Sequence, residues 1–312
     1  MAINIIGKPY FNITNIFATY RYPFSALFLM QKGYFPIQTN DITLTANPTS
    51  PTVALCRNFT LNAGVTYSQP YICVTATNSI TINGVIDANV NTNYISKSFF
   101  LDKILALPID TTTPNDYPSG GGSVGVPYGF GGGAAGNYSS TNVNPAFNYR
   151  VLYTDFTQRS ETILSKVQKS GGYISGKQYT AGVYIGGIVV LCAPIINING
   201  NILAYGRDDI QTATYNAGGS GGGVVYLVGD KITLGSVSID VHGGNATTIS
   251  GYTAYGGGGG FIVIAGTGSI TNNATTNVSG GTASGGTRNY NGQNGSLIVT
   301  TFSFDFDSAG NF

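Results

Sequence analysis

The sequence predicts an all-β chain, a parallel β-helix (β-solenoid) with roughly 36-residue repeats, and three observations lead there. First, a glycine followed by a short apolar run keeps returning. Gly187 precedes the run 188–191, Gly223 the run 224–227, Gly260 the run 261–264, and Gly295-Ser296 the run 297–299, at offsets of 36, 37 and 36 residues. Second, a strand-like pattern follows the first three runs, at 195–203, 231–240 and 269–278. Third, the same two-part form occurs earlier, as YICV at 71–74 and SITINGVIDA at 79–88. A strand–turn–strand unit of this size cannot bury its own apolar face, so such units stack on one another. An antiparallel β-sandwich is the alternative fold.

Residues 1–40 form an aromatic N-terminal docking or capping segment. Its rings, among them Tyr10, Phe11, Phe17, Tyr20, Tyr22, Phe24, Phe28, Tyr34 and Phe35, follow no strand period and read as irregular. So many rings call for burial against the end of the stack, another copy or a docking partner. The start of the chain has no basic leader with a cleavage site, and FSALFLM at 24–30 is too short to span a bilayer.

Residues 41–93 carry the first strands. Ile80 and Ile82 point inward, Thr81 and Asn83 outward, and Gly84 makes a corner. The Asn-Gly pairs at 83–84 and 199–200 take the same place in their repeats, where they supply the positive φ of a tight corner. Residues 94–182 are an inserted loop, with a Gly-rich stretch at 120–136 and one short helix at about 154–168 whose apolar face is Phe156, Ile163, Leu164 and Val167. The insert reads as an enlarged copy of the shorter loops at 204–220, 243–259 and 279–294.

Residues 183–312 are the repeats proper. Period-two alternation predicts an inward set of Ile80, Ile82, Val189, Leu191, Ile196, Ile198, Val225, Leu227, Ile232, Val237, Ile262, Ile264, Ile270 and Val299. The glycine runs at 218–223 and 256–260 either let backbones approach closely or form extended glycine helices packed side by side.

Composition narrows the function. Charged residues are 9% of the chain, against about 25% in ordinary soluble proteins, and the net charge is +1. No basic field exists to hold nucleic acid, and neither a nucleic-acid partner nor a membrane span is expected. The 21 tyrosines outnumber the 14 lysines and arginines, so the polar surface is built from Tyr, Asn, Thr and Ser. Such a surface suits contact with sugars or neighbouring subunits.

The three cysteines and the single histidine, His242, have no metal-ligand spacing, so no metal or other cofactor is expected. Cys73 and Cys192 lie in apolar runs and read as buried small hydrophobes. A single disulfide involving Cys56, Cys73 or Cys192 remains open.

The glycine runs lack the Lys-Ser/Thr and following helix of a phosphate loop. Arg207-Asp208-Asp209 and His242-Gly243-Gly244 faintly resemble elements of the polygalacturonase family. That family's Asn-x-Asp before the pair and Arg-x-Lys after the histidine are missing here, which leaves no complete two-carboxylate arrangement and no catalytic residue to name. Seven asparagines, at 12, 58, 137, 245, 273, 277 and 294, head Asn-x-Ser/Thr sequons. The loop residues Tyr205, Arg207, Tyr215, Tyr252, Tyr255, Arg288 and Tyr290 form the candidate ligand-binding constellation, because tyrosine offers rigid contact area and a hydroxyl at low entropic cost.

The Gly-rich runs before apolar strands, the I-x-I-N-G-x-I/L corners and the Tyr/Asn-rich loops resemble virus tail-fibre or tailspike adhesins, above all attachment proteins of viruses of hyperthermophilic archaea. The resemblance covers about 71–93 and 183–301. It implies a non-enzymatic structural virion protein of a tail, fibre or spike that contributes to host-surface attachment. It further implies a homo-oligomer, often a trimer, exposed on the virion after assembly in the host cell. Its partners would be a host-surface glycan or glycoprotein, and other virion proteins through residues 1–35. A cellular surface-layer or pilus-like structural protein and a glycan-cleaving tailspike are the alternatives.

Overall fold

The computed structural model describes residues 23–69, 71–89, 187–210, 217–219, 222–292 and 294–304, together with the short strands Ile109–Asp110, Arg150–Val151, Gly176–Gln178 and Gly182–Tyr184. The described residues are mostly strand with one helix. The predicted helix at 154–168 and most of the 94–182 insert lie outside the described residues.

A long sheet runs in the order Asp41–Leu44, Thr52–Leu61, Tyr71–Ile82, Ile188–Ile198, Val224–Leu234, Phe261–Gly266 and Ser296–Thr301, with Ile270–Asn272 also pairing Val224–Leu234. Every neighbour is parallel. Val189 faces Ile72 on one side and Val225 on the other, Val225 faces Ile262, and Ile262 faces Leu297. The period of the sequence is thus the hydrogen-bond register of the sheet. A second parallel sheet joins the strand Thr66–Ser68 to Val85–Asp87, Ile202–Leu203, Ser238–Asp240 and Thr275–Asn277. Antiparallel pairing is confined, among the described residues, to the short strand pairs 109–110/150–151 and 176–178/182–184, so these sheets do not make the alternative antiparallel sandwich.

Alternate side chains of the long sheet and the apolar side chains of the second sheet share one core. Leu191, Ile196, Leu227, Ile232 and Ile264 meet Ile86, Ile202, Ile239 and Val241 there, all fully buried. Burying each Leu or Ile side chain is worth about 1.5–3 kcal/mol before entropic costs. Twelve of the predicted inward residues are buried, and Ile270 is partly buried against the same core. Val299 differs. It pairs with Ile264 but is 42% exposed, as is Leu297 at 41%, because no described strand follows Ser296–Thr301 to cover that end of the column.

The opposite face of the long sheet is covered too, by the helix Phe24–Gln31. Phe24, Leu27 and Phe28 pack on Val190, Cys192, Tyr226 and Val263. Edge-on contacts of Phe24 with Phe302 (5.5 Å) and Phe28 with Phe304 (5.2 Å) pin the helix from the other end of the chain. This cover explains a detail of the sequence: 188–193 is apolar without alternation because both faces are buried. Past the register shift at Cys192/Ile195 alternation begins, with Ile196 and Ile198 buried and Ile195 exposed.

The irregular reading of residues 1–35 is therefore corrected at 24–31. Six consecutive residues, 24–29, are buried, so the helix is apolar on every side and shows no amphipathic period. Its burial is against the chain's own sheet, which removes 24–29 from any open docking surface.

The corner glycines are corrected as well. Positive φ occurs at Gly33, Gly64, Gly251 and Gly285, not at Gly84 or Gly200. The Asn-Gly corners need glycine because of close approach: a Cβ on Gly200 would lie 1.8 Å from the Gly84 carbonyl oxygen. Both cores enclose free thiols. Cys56 is buried in the inner core, where burial pushes its thiol up to about 11, and Cys73 and Cys192 are buried under the helix.

Candidate functional site

After the strands Ile202–Leu203, Ser238–Asp240 and Thr275–Asn277 the chain leaves the core and returns through glycine-rich sequence to the long sheet. The segments read as loops at 204–220, 243–259 and 279–294 are not free loops. They stack on each other as two further parallel sheets, Asp209–Ile210 with Ala246–Thr247 and Ala283–Ser284, and Ala217–Gly218 with Thr253–Tyr255 and Arg288–Tyr290. Outward and returning passes lock through main-chain hydrogen bonds, Gly257 N–H to Gly244 O (2.7 Å), Gly281 N–H to Gly257 O (2.7 Å) and Gly292 N–H to Gly281 O (2.8 Å). Added Cβ atoms at Gly243, Gly244, Gly281 and Gly292 would meet carbonyl oxygens at 1.8–2.0 Å. Close approach of backbones, the first of the two readings of the glycine runs, is what these distances describe.

Side chains continue this stacking at the same offset. The Asp208 carboxylate accepts from the Asn245 N–H (2.6 Å), and Asn245 Oδ1 accepts from the Thr282 N–H and hydroxyl (both 2.8 Å), each pair 37 residues apart. At the exit from the core, Asp240 Oδ1 accepts from the His242 N–H (3.0 Å) and lies 2.7 Å from His242 Nδ1. Burial alone would raise the Asp240 carboxyl, but hydrogen bonds from the His242 ring and main chain, the His242 charge and the Asn277 amide together hold it below the usual range. The Tyr205 ring stacks on the His242 ring, with centroids 4.8 Å apart and planes at 15°. Burial first, then the carboxylates of Asp87, Asp240 and Asp208, push the Tyr205 hydroxyl up. Asp87 and Asn277 repeat the Asp240 turn, accepting from Asn89 N–H and Ser279 N–H. These contacts make Asp240 and His242 corner-forming groups of the stack.

The predicted constellation divides. Tyr205, half-buried, and Arg207, exposed, lie where the first excursion leaves the core. Tyr252, half-buried, and Arg288, exposed, lie in the strip built by the last two excursions, where Tyr252 O accepts the Thr287 N–H (2.8 Å). Tyr255 and Tyr290 are backbone partners in that strip, and Tyr215 lies outside the described residues. The bonds that join Asp208, Asn245 and Thr282 were missed from sequence. Their common offset of 37 was legible, but it was hidden by reading each Gly-rich segment as an isolated loop.

Among the described residues, no group of three or more His, Cys, Asp or Glu side chains is placed to hold a metal ion, and no helix is long and apolar enough to cross a membrane. Comparison with known proteins finds no matching family model, no matching curated protein and no matching solved structure.

Proposed function

We propose that the chain is a β-solenoid of the tail, fibre or spike type, a non-enzymatic structural virion protein that contributes to host-surface attachment. The observation that carries this reading is the packed excursion. Polar segments that ordinarily move are held here by main-chain bonds between glycines, so Tyr-, Arg-, Asn- and Thr-bearing segments stack in register on a rigid support. A chain with only 9% charged residues offers hydrogen bonds and ring faces rather than a field, which fits neutral glycan or glycoprotein chains. Contacts to other particle proteins are assigned to residues 1–22, since the helix that follows is spent on the chain's own sheet.

Replacing Tyr252, Tyr255 and Tyr290 together by alanine should leave the chain folded and incorporated in particles. Adsorption to host envelopes should fall by about tenfold or more, as expected for the loss of aromatic anchors. Normal adsorption by the triple variant would reject the binding assignment. Release of oligosaccharides from envelope polysaccharide by the purified chain would replace it with the glycan-cleaving alternative.

A further inference from the structure

The corners between the two main sheets carry an asparagine ladder with one gap. Main-chain bonds from Asn83 to Leu61 O, Asn199 to Ile82 O, Gly235 to Ile198 O and Asn273 to Leu234 O place residues 83, 199, 235 and 273 in one column. Asn199 Nδ2 donates to Asn83 Oδ1 at 2.9 Å, so the first two amides hold each other. Gly235 offers the next position no side chain, and the ladder stops. Asn273 is exposed, and its carboxamide has no hydrogen-bond partner among the described residues. Ala274 and Thr275 follow it, completing a sequon at the turn between Ile270–Asn272 and Thr275–Asn277.

The other sequons with described structure are held. Asn58 Nδ2 donates to Asp41 (2.9 Å) while its Oδ1 accepts from Asn78 (2.7 Å) and Ser79 (2.8 Å). Asn245 Oδ1 accepts twice from Thr282, and Asn294 Oδ1 accepts from the Gly280 N–H (2.9 Å). Asn277 accepts twice from Ser279 and bonds to Asp240. Transfer of a glycan requires the carboxamide to turn out of its hydrogen bonds, whether made by its nitrogen or accepted by its oxygen, into an enzyme's site, which a held amide resists.

We propose that, of the sequons among the described residues, Asn273 is the one N-glycosylated on the folded chain, modified by an oligosaccharyltransferase using a lipid-diphosphate-linked oligosaccharide. In that step Asn273 Nδ2 forms a bond to C1 of the first sugar and the C1–O bond to the diphosphate breaks. The lipid diphosphate leaves with the bonding pair, and the amide gives up one proton. The site is independent of the attachment reading and requires only that the folded chain meets such an enzyme.

The test incubates the purified, folded full chain with a single-subunit oligosaccharyltransferase and its lipid-linked donor, and maps occupancy by peptide mass spectrometry. Occupancy at Asn273 should exceed that at 58, 245, 277 and 294 by roughly tenfold, the factor of one freed hydrogen bond. Equal or greater occupancy at any of those four, or none at Asn273, overturns the proposal. Thr275→Ala removes the sequon hydroxyl, which donates to Val237 O (3.3 Å) in the folded chain, and should abolish the modification. Gly235→Asn tests the ladder: the nearest atom to a Cβ there is 3.4 Å away, so the side chain fits and can engage Asn273. Its occupancy should drop several-fold with melting unchanged, and unchanged occupancy would show that the gap is not the cause. Unfolding the chain before the reaction should erase the selectivity; a preference that survives unfolding belongs to local sequence and counts against the proposal.

Discussion

Gly200→Ala is expected to abolish the folded state. The new methyl carbon would sit 1.8 Å from the Gly84 carbonyl oxygen and 2.6 Å from its carbon, and both obstacles are main chain in the neighbouring strand connection. A side chain could rotate away, but this backbone is fixed by the Asn199 N–H bond to Ile82 O and by the adjoining strands. Ordinary overpacking costs about 1–3 kcal/mol, and a contact this short against backbone should exceed that range. Total stabilities are only about 5–15 kcal/mol, so soluble yield should fall sharply and any recovered chain should melt far below the parent. Gly235→Ala is the matched control, one position earlier in the next corner and with its nearest atom at 3.4 Å. It should be neutral or stabilise by about 0.4–1 kcal/mol through the unfolded state. Equal tolerance of both substitutions in a chemical-denaturation series would mean that the corners are not stacked as described.

Leu191→Ala should cost about 2–5 kcal/mol, the usual penalty of an enclosed cavity. Leu191 is fully buried, with Val74 and Leu227 as its neighbours along the column. Val299→Ala removes less and from a side chain that is 42% exposed, so under about 1 kcal/mol is expected. Ile264 separates these outcomes: it pairs with both Leu227 and Val299, and it marks where the column passes from covered to uncovered. Urea midpoints for the two variants check the contrast. Similar losses at Leu191 and Val299 would show that the last strand is covered in solution.

The sequence carried the architecture where side chains repeat and lost it where backbone alone does the packing. Val189, Val225 and Ile262 were legible because offsets of 36 and 37 residues return them to one column. Their neighbours Val190, Tyr226 and Val263 were not, since their burial depends on a helix with no period to reveal it. In the excursions the decisive groups are the N–H and C=O of Gly244, Gly257, Gly281 and Gly292, which no hydrophobic pattern records. Of the candidate site, Tyr205 and Arg207 were placed together by sequence proximity. The ring stack of Tyr205 on His242 joins residues 37 apart and required the register. Glycine at Gly84 and Gly200 was assigned to the right corner for the wrong reason, because a crowded backbone and a positive φ ask for the same residue.

Everything rests on the register of parallel neighbours, and cysteine pairs report it directly. Ile195 and Lys231 are Cα partners with exposed side chains, whereas Ile195 and Thr233 are two residues out of step. Adjacent strands lie about 4.8 Å apart, while the offset pair lies about 8 Å apart, beyond the reach of a disulfide. The native thiols of Cys56, Cys73 and Cys192 are buried and do not compete. Under mild oxidation the double variant Ile195→Cys/Lys231→Cys should close rapidly within one chain, and Ile195→Cys/Thr233→Cys should stay reduced. Closure of the second pair in preference to the first, or of neither, would contradict the stacked register on which the fold and the proposed display surface depend.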